Sequence, residues 1–215
     1  MYKFLLSCTI IFGLLTNSLY AEVKASGGVE KAEFSFEEGK HYSVLERPLP
    51  THMPDVVNFF YYGCRSCYQL SPVLLDWGNK SGYAIGLVPL HNETTFADSA
   101  RMFHTFIEMG ELEKMHELGY VIFQTKKSKA FGAERINEFL VRHKVDKDRF
   151  WELWGSEAVN ERLRVSHQLS AQIGAFKTPT FIVKKRFMMD TDTITSMDEF
   201  FALLSFLVEI EGDKS

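Results

Sequence analysis

Cysteine is scarce in this 215-residue chain, with one at position 8 and a pair at 64 and 67. Exported scaffolds stapled by disulfides are small and cysteine-dense, so this chain must build its core from apolar side chains. These make up 46% of the sequence and include nineteen phenylalanines, enough for a core without bridges. Basic charge is also short: 24 Lys and Arg stand against 28 Asp and Glu, with no basic block. That balance argues against a nucleic-acid partner. No internal repeat or low-complexity segment is present. A closed zinc spacing is missing too, so His91, His104 and His116 read as core or surface histidines and no metal site is expected. Met188 and Met189 would point to opposite faces of a strand and read as packing.

The chain opens with Lys3, an apolar stretch from Phe4 to Leu15, and a polar exit leading to Leu19-Tyr20-Ala21. This is the layout of a cleavable secretory signal over residues 1–21. The apolar part falls short of the roughly 20 residues that span a bilayer; a retained anchor is the alternative reading. Cys8 lies inside the apolar stretch, so a lipoprotein reading is discounted. Cleavage leaves Cys64 and Cys67 as the only cysteines, a pair free to cycle.

The mature chain, 22–215, reads as one domain. Glu22 to Gly39 is a polar, mobile lead, and His41 to Leu45 suits an edge strand. Asp55 to Tyr62 is a β-branched and aromatic run without alternation, the mark of a strand covered on both faces. A helical pattern follows from Cys64 to about Lys80, then a strand from Tyr83 to Leu90, completing a β-α-β unit. Helical spacing without strand signal then occupies about 95–173. Strand signal returns at Thr180 to Val183 and Arg186 to Met189, with Lys184-Lys185 as the turn of a hairpin. Ser196 and Glu199 make a capping box for a closing amphipathic helix. The fold class is α/β.

The pair sits in Tyr61 to Gln69, Y-Y-G-C-R-S-C-Y-Q, where an apolar strand ends and a helix begins. The unpaired N–H groups and partial positive charge of a helix N-terminus favour thiolate over thiol there. C-x-x-C at that place, within a β-α-β pattern, reads as a redox site.

Strand, C-x-x-C helix, strand, helical block, then T-P-T before a hairpin and a last helix resembles a thioredoxin fold with an inserted helical domain. With Gly39-Lys40-His41-Tyr42, Leu45-Glu46, Phe59-Phe60-Tyr61-Tyr62-Gly63-Cys64, Cys67-Tyr68 and Thr178-Pro179, the chain resembles the DsbA family of periplasmic thiol-disulfide oxidoreductases. The resemblance implies a periplasmic enzyme that introduces or exchanges disulfides in exported proteins. It implies Cys64 as exposed nucleophile, Cys67 as buried resolving partner and Pro179 as a cis-proline. Thr178 would offer its backbone to an extended client by β-augmentation. A DsbB-like membrane protein would reoxidise the pair, and no cofactor is implied. The lead is too short for an added dimerisation domain, which favours a monomer.

Three positions depart from the family. Arg65-Ser66 replaces the familiar Pro-His between the cysteines, and a charged imidazole helps hold the thiolate that makes such an enzyme oxidising. A helix end contributes about 0.3–1 kcal/mol in exposed settings, against about 1.36 kcal/mol per pKa unit. Cys64 is therefore expected to be less acidic, and the protein less oxidising, than a Pro-His relative. Asn58 stands where many relatives carry a buried glutamate, and an amide cannot titrate. Thr178 precedes the proline where valine is familiar in the oxidase and threonine in related isomerases. A disulfide reductase or isomerase is the alternative, and a metal-binding chaperone using the two thiols is a weaker one. Some phenylalanines are expected to line an apolar client groove around Cys64.

Overall fold

The apolar run after Asp55 forms β2 (Val56–Phe60), with all five residues buried. In the computed structural model, residues 34–91, 96–124 and 132–210 are described; the signal sequence expected over 1–21 lies outside them. β2 pairs in parallel with β3 (Ile85–Pro89) and antiparallel with β4 (Thr180–Val183). β5 (Phe187–Met189) and β1 (Tyr42–Val44) extend the sheet beyond β4, in the order β1-β5-β4-β2-β3. Lys184 and Lys185 both have positive φ, 50° and 66°, and Val183 pairs with Phe187, so Lys184 to Arg186 form a three-residue loop rather than the expected Lys184-Lys185 turn alone.

Alternation along β2 assigns its side chains to two layers. Val57 and Phe59 join Leu49, Leu169, Ile173 and Ile182 on one face. On the other, Val56 packs with Leu70 and Leu74 of α1 (Arg65–Ser81) and with Phe200, Leu203, Leu204 and Leu207 of α7 (Met197–Glu209). Asn58 falls on this second face between Val56 and Phe60. Burying each such large apolar side chain stabilises the fold by about 1.5–3 kcal/mol relative to exposure.

Five helices intervene between β3 and β4: α2 (Ala97–Met109), α3 (Leu112–Gln124), α4 (Ala133–Arg142), α5 (Lys147–Trp154) and α6 (Glu157–Gln172). α2 is their hub and packs against α3, α5 and α6. Its buried stripe of Met102, Phe103 and Phe106 shares a core with Phe60, Cys67, Met115, Tyr120 and Phe150. The end of β2 and the second cysteine are thus embedded in the helical block.

Two local expectations are revised. The lead expected to be mobile from Glu22 to Gly39 is packed at Phe36, which lies 5.5 Å from the Phe206 ring and 5.6 Å from that of His41. Gly39 N–H also donates to Tyr42 O at 2.7 Å, so apolar packing and a turn hold a segment whose polarity alone suggests a loose tail. At α7, Ser196 Oγ caps Glu199 N–H at 3.1 Å. The Glu199 carboxylate reaches one residue further back than a capping box requires, accepting from Thr195 N–H and Oγ–H, both at 2.7 Å.

Candidate active site

Cys64 is the N-cap of α1, in extended conformation, and is disulfide-bonded to Cys67 with a Cα–Cα separation of 5.3 Å. Its Sγ accepts from Cys67 N–H at 3.1 Å, so the sulfur replaces the side-chain oxygen of an ordinary N-cap. Ser66 Oγ lies 3.3 Å from the same sulfur and can donate to it. Thr178 O approaches it from across the chain at 3.5 Å, next to the cis Thr178–Pro179 bond. Two donors and one carbonyl oxygen therefore surround Cys64 Sγ. The donors favour a thiolate, whereas the carbonyl favours a protonated thiol.

The two cysteines differ in access. Cys64 is partly exposed and flanked by exposed Arg65 and Ser66, whereas Cys67 is 1% exposed. An incoming sulfur can reach the first and not the second. Asn58 is buried, and its Oδ1 has no hydrogen-bond partner.

The strand-to-helix corner is held by the helical block through residues that no local pattern marks. Ser99 Oγ on α2 accepts from Tyr62 N–H at 3.0 Å. Gln124 Nε2, at the end of α3, donates to Cys64 O at 3.2 Å and Tyr62 O at 3.4 Å. The Tyr62 ring lies against Gly119, where a Cβ would come within 2.4 Å of Tyr62 Cζ. Its hydroxyl is 3.3 Å from Nδ1 of buried His116. Burial lowers the His116 pKa to about 4, so this imidazole is neutral, and its tautomer sets which of the two groups donates. Burial also raises the Tyr62 pKa well above its ordinary value. Below Cys67 on α1, Ser71 Oγ–H donates to Glu117 Oε1 of α3 at 2.6 Å.

His104 is likewise a buried histidine, bonded to Ser166 Oγ at 2.8 Å. Its pKa is lowered to about 3, first by burial and then by Arg162 and His91. Among the described residues, no group of three or more His, Cys, Asp or Glu could hold a metal ion, and no helix is long and apolar enough to cross a membrane.

Beside the dithiol, a groove of about 530 Å³ runs between α1 and the start of α7. Leu70, Val73, Pro179, Ile194, Met197 and Phe200 form its apolar wall, with Ser66 and Gln69 at its edge. A single phenylalanine lines it, fewer than the aromatic content suggests.

A family model described as DSBA-like thioredoxin domain matches residues 67–202. The thiol:disulfide interchange protein DsbA of Pseudomonas aeruginosa is 25% identical over 203 residues, covering 92% of this chain and 96% of that protein. That of Burkholderia cepacia is 25% identical over 207 residues, covering 94% and 98%. The crystal structure of P. aeruginosa DsbA superposes with a TM-score of 0.71 at 25% identity, covering 81% of this chain and 93% of that one. The oxidoreductase NmDsbA1 from N. meningitidis shares the fold, with a TM-score of 0.68 at 18% identity.

Proposed function

Since the chain belongs to the DSBA-like thioredoxin domain family, we propose that it exchanges disulfides with cysteine-bearing exported proteins in the periplasm, with Cys64 as the atom attacked. It is a thiol-disulfide oxidoreductase. The observation that carries the reading is the asymmetry of the disulfide: a partly exposed Cys64 Sγ at the open end of α1, beside Thr178 O, and a buried Cys67.

In the oxidising direction a client thiolate attacks Cys64 Sγ. The Cys64–Cys67 bond breaks, Cys67 leaves as a thiolate and takes up a proton, and a mixed disulfide joins Cys64 to the client. A second client thiolate attacks the client sulfur of that bond, and Cys64 leaves with the electron pair. The client gains a disulfide, the enzyme gains two electrons, and a DsbB-like membrane partner reoxidises it. Thr178 presents backbone to an extended client, and the groove beside Pro179 takes the client's apolar side chains.

Arg65 and Ser66 set the strength of the oxidant. Ser66 supplies one neutral donor to Cys64 Sγ, weaker than a charged imidazole, and Arg65 is exposed and screened by salt. Asn58 on the buried face adds no charge. The reduced form is therefore less stabilised than in a Pro-His relative and the protein less oxidising.

Refolding of fully reduced and of scrambled ribonuclease tests the reading. The purified oxidised protein is expected to restore activity from the reduced substrate faster than from the scrambled one. Preference for the scrambled substrate would assign an isomerase, and a protein that exchanges no disulfide and holds metal after anaerobic purification would overturn the proposal.

A further inference from the structure

Exchange at Cys64 needs a proton to enter or leave Cys67, a sulfur only 1% exposed. When the pair opens, Cys67 leaves as a thiolate that burial destabilises; when a mixed disulfide is resolved, its thiol must first lose a proton. Asn58, on the same side of the sheet, cannot take that proton. A carboxylate does approach from α3. Ser71 lies four residues after Cys67 on α1, hence on the same helix face at about 5–6 Å between Cβ atoms. Ser71 is 2% exposed and donates to Glu117 Oε1 at 2.6 Å. Glu117 is partly exposed, so the Ser71–Glu117 pair joins the buried face of α1 to bulk water.

The groups facing this carboxylate are Ser71 on α1, Tyr120 on its own helix and Tyr62 after β2. Burial first, and the negative charge of Glu117 after it, raise the pKa of both tyrosines. Neither phenol competes as a base at neutral pH, and His116, bonded to Tyr62, is neutral.

Building on the dithiol chemistry proposed above, we infer that Glu117, acting through Ser71, takes up and returns the Cys67 proton, which Asn58 cannot do. During resolution, the Cys67 S–H proton passes to Ser71 Oγ as the Ser71 O–H proton passes to Glu117 Oε1. The thiolate then attacks Cys64 Sγ, the bond to the client sulfur breaks, and the client leaves with the electron pair. When a client thiolate opens the disulfide, Glu117 takes a proton from bulk water and the two transfers run in reverse to protonate Cys67. Charge moves between Cys67 and Glu117 without being created, and Glu117 is a positioning residue that acts through Ser71.

The test is resolution of a mixed disulfide between Cys64 and glutathione, formed by mixing reduced protein with oxidised glutathione and followed by stopped-flow tryptophan fluorescence. Wild type is expected to resolve at a rate nearly independent of pH from about 6 to 8. Glu117→Gln, which keeps an acceptor for Ser71 but cannot titrate, is expected to slow by about tenfold for each pH unit lowered, as for a reaction dependent on bulk hydroxide. Ser71→Ala is expected to give the same slope with the carboxylate intact and supplies the answer if Glu117→Gln does not fold. Variant profiles that overlay the wild-type profile would overturn the relay and leave the exchange reaction standing. A wild-type protein that resolves no mixed disulfide would overturn both.

Discussion

The two sides of the first turns of α1 are built for opposite purposes. The outer side carries Cys64, Ser66, Gln69 and Val73, opening onto a groove with an apolar wall. The inner side carries Cys67 and Ser71, set against α3, where a neutral histidine, two tyrosines and one carboxylate converge. The outer side can be rewritten with little effect on the core, because its side chains end in solvent. The inner side cannot, because each group is seated against another. Substrate contact and redox strength belong to the first side, and proton supply and rigidity to the second.

Four perturbations put this contrast at risk. The largest effect is expected on the outer side: Cys64→Ala reduces disulfide exchange to background, while Cys67→Ala still attacks and accumulates mixed disulfides with client proteins, visible on non-reducing gels. Next, acid acts on the interior. His116 and His104 have folded pKa values of about 4 and about 3, below the ordinary 6.5, so the unfolded chain binds more protons between those limits. Stability present above about pH 6.5 is therefore lost as pH falls, by up to about 2 kcal/mol per histidine at pH 5. Urea midpoints at pH 7 and pH 5 measure this, and His116→Gln is expected to flatten the dependence.

Gly119→Ala sets two effects against each other. Helix propensity favours alanine by about 1 kcal/mol, but the added methyl meets a fully buried Tyr62 ring held by His116, and overpacking costs about 1–3 kcal/mol. A net loss of up to about 2 kcal/mol by urea denaturation is the expected result, because the buried ring resists the added methyl and the clash outweighs the gain in propensity. The smallest change is Ser66→His. A glutathione redox titration is expected to show a potential raised by about 30 mV, equivalent to one pKa unit on Cys64. An unchanged potential would remove the two residues between the cysteines as the determinant of redox strength.

Much of the fold is legible in the sequence because its signals are local. Val56 to Phe60 reads as a strand buried on both faces since no polar alternation interrupts it except Asn58. The dithiol at the start of a helix follows from a strand ending at Phe60 and apolar spacing from Leu70 onward. The cis bond at Thr178–Pro179, by contrast, is expected only through family resemblance, as spacing carries no sign of it. Composition places Phe36 in a loose lead, whereas in the fold it gains its partner, Phe206, from the far end of the chain.

Local pattern thus decides where the reactive pair sits, which strand carries it and how the helices are spaced. Tertiary structure alone decides what surrounds the pair. Ser99, Gln124 and Glu117 reach the corner or its helix across 37, 60 and 46 residues of sequence, and Thr178 reaches Cys64 across 114. No periodicity encodes such contacts. A hydrogen bond needs its partners placed within a few tenths of an ångström, and only the packing of α2 and α3 on the end of β2 provides that placement.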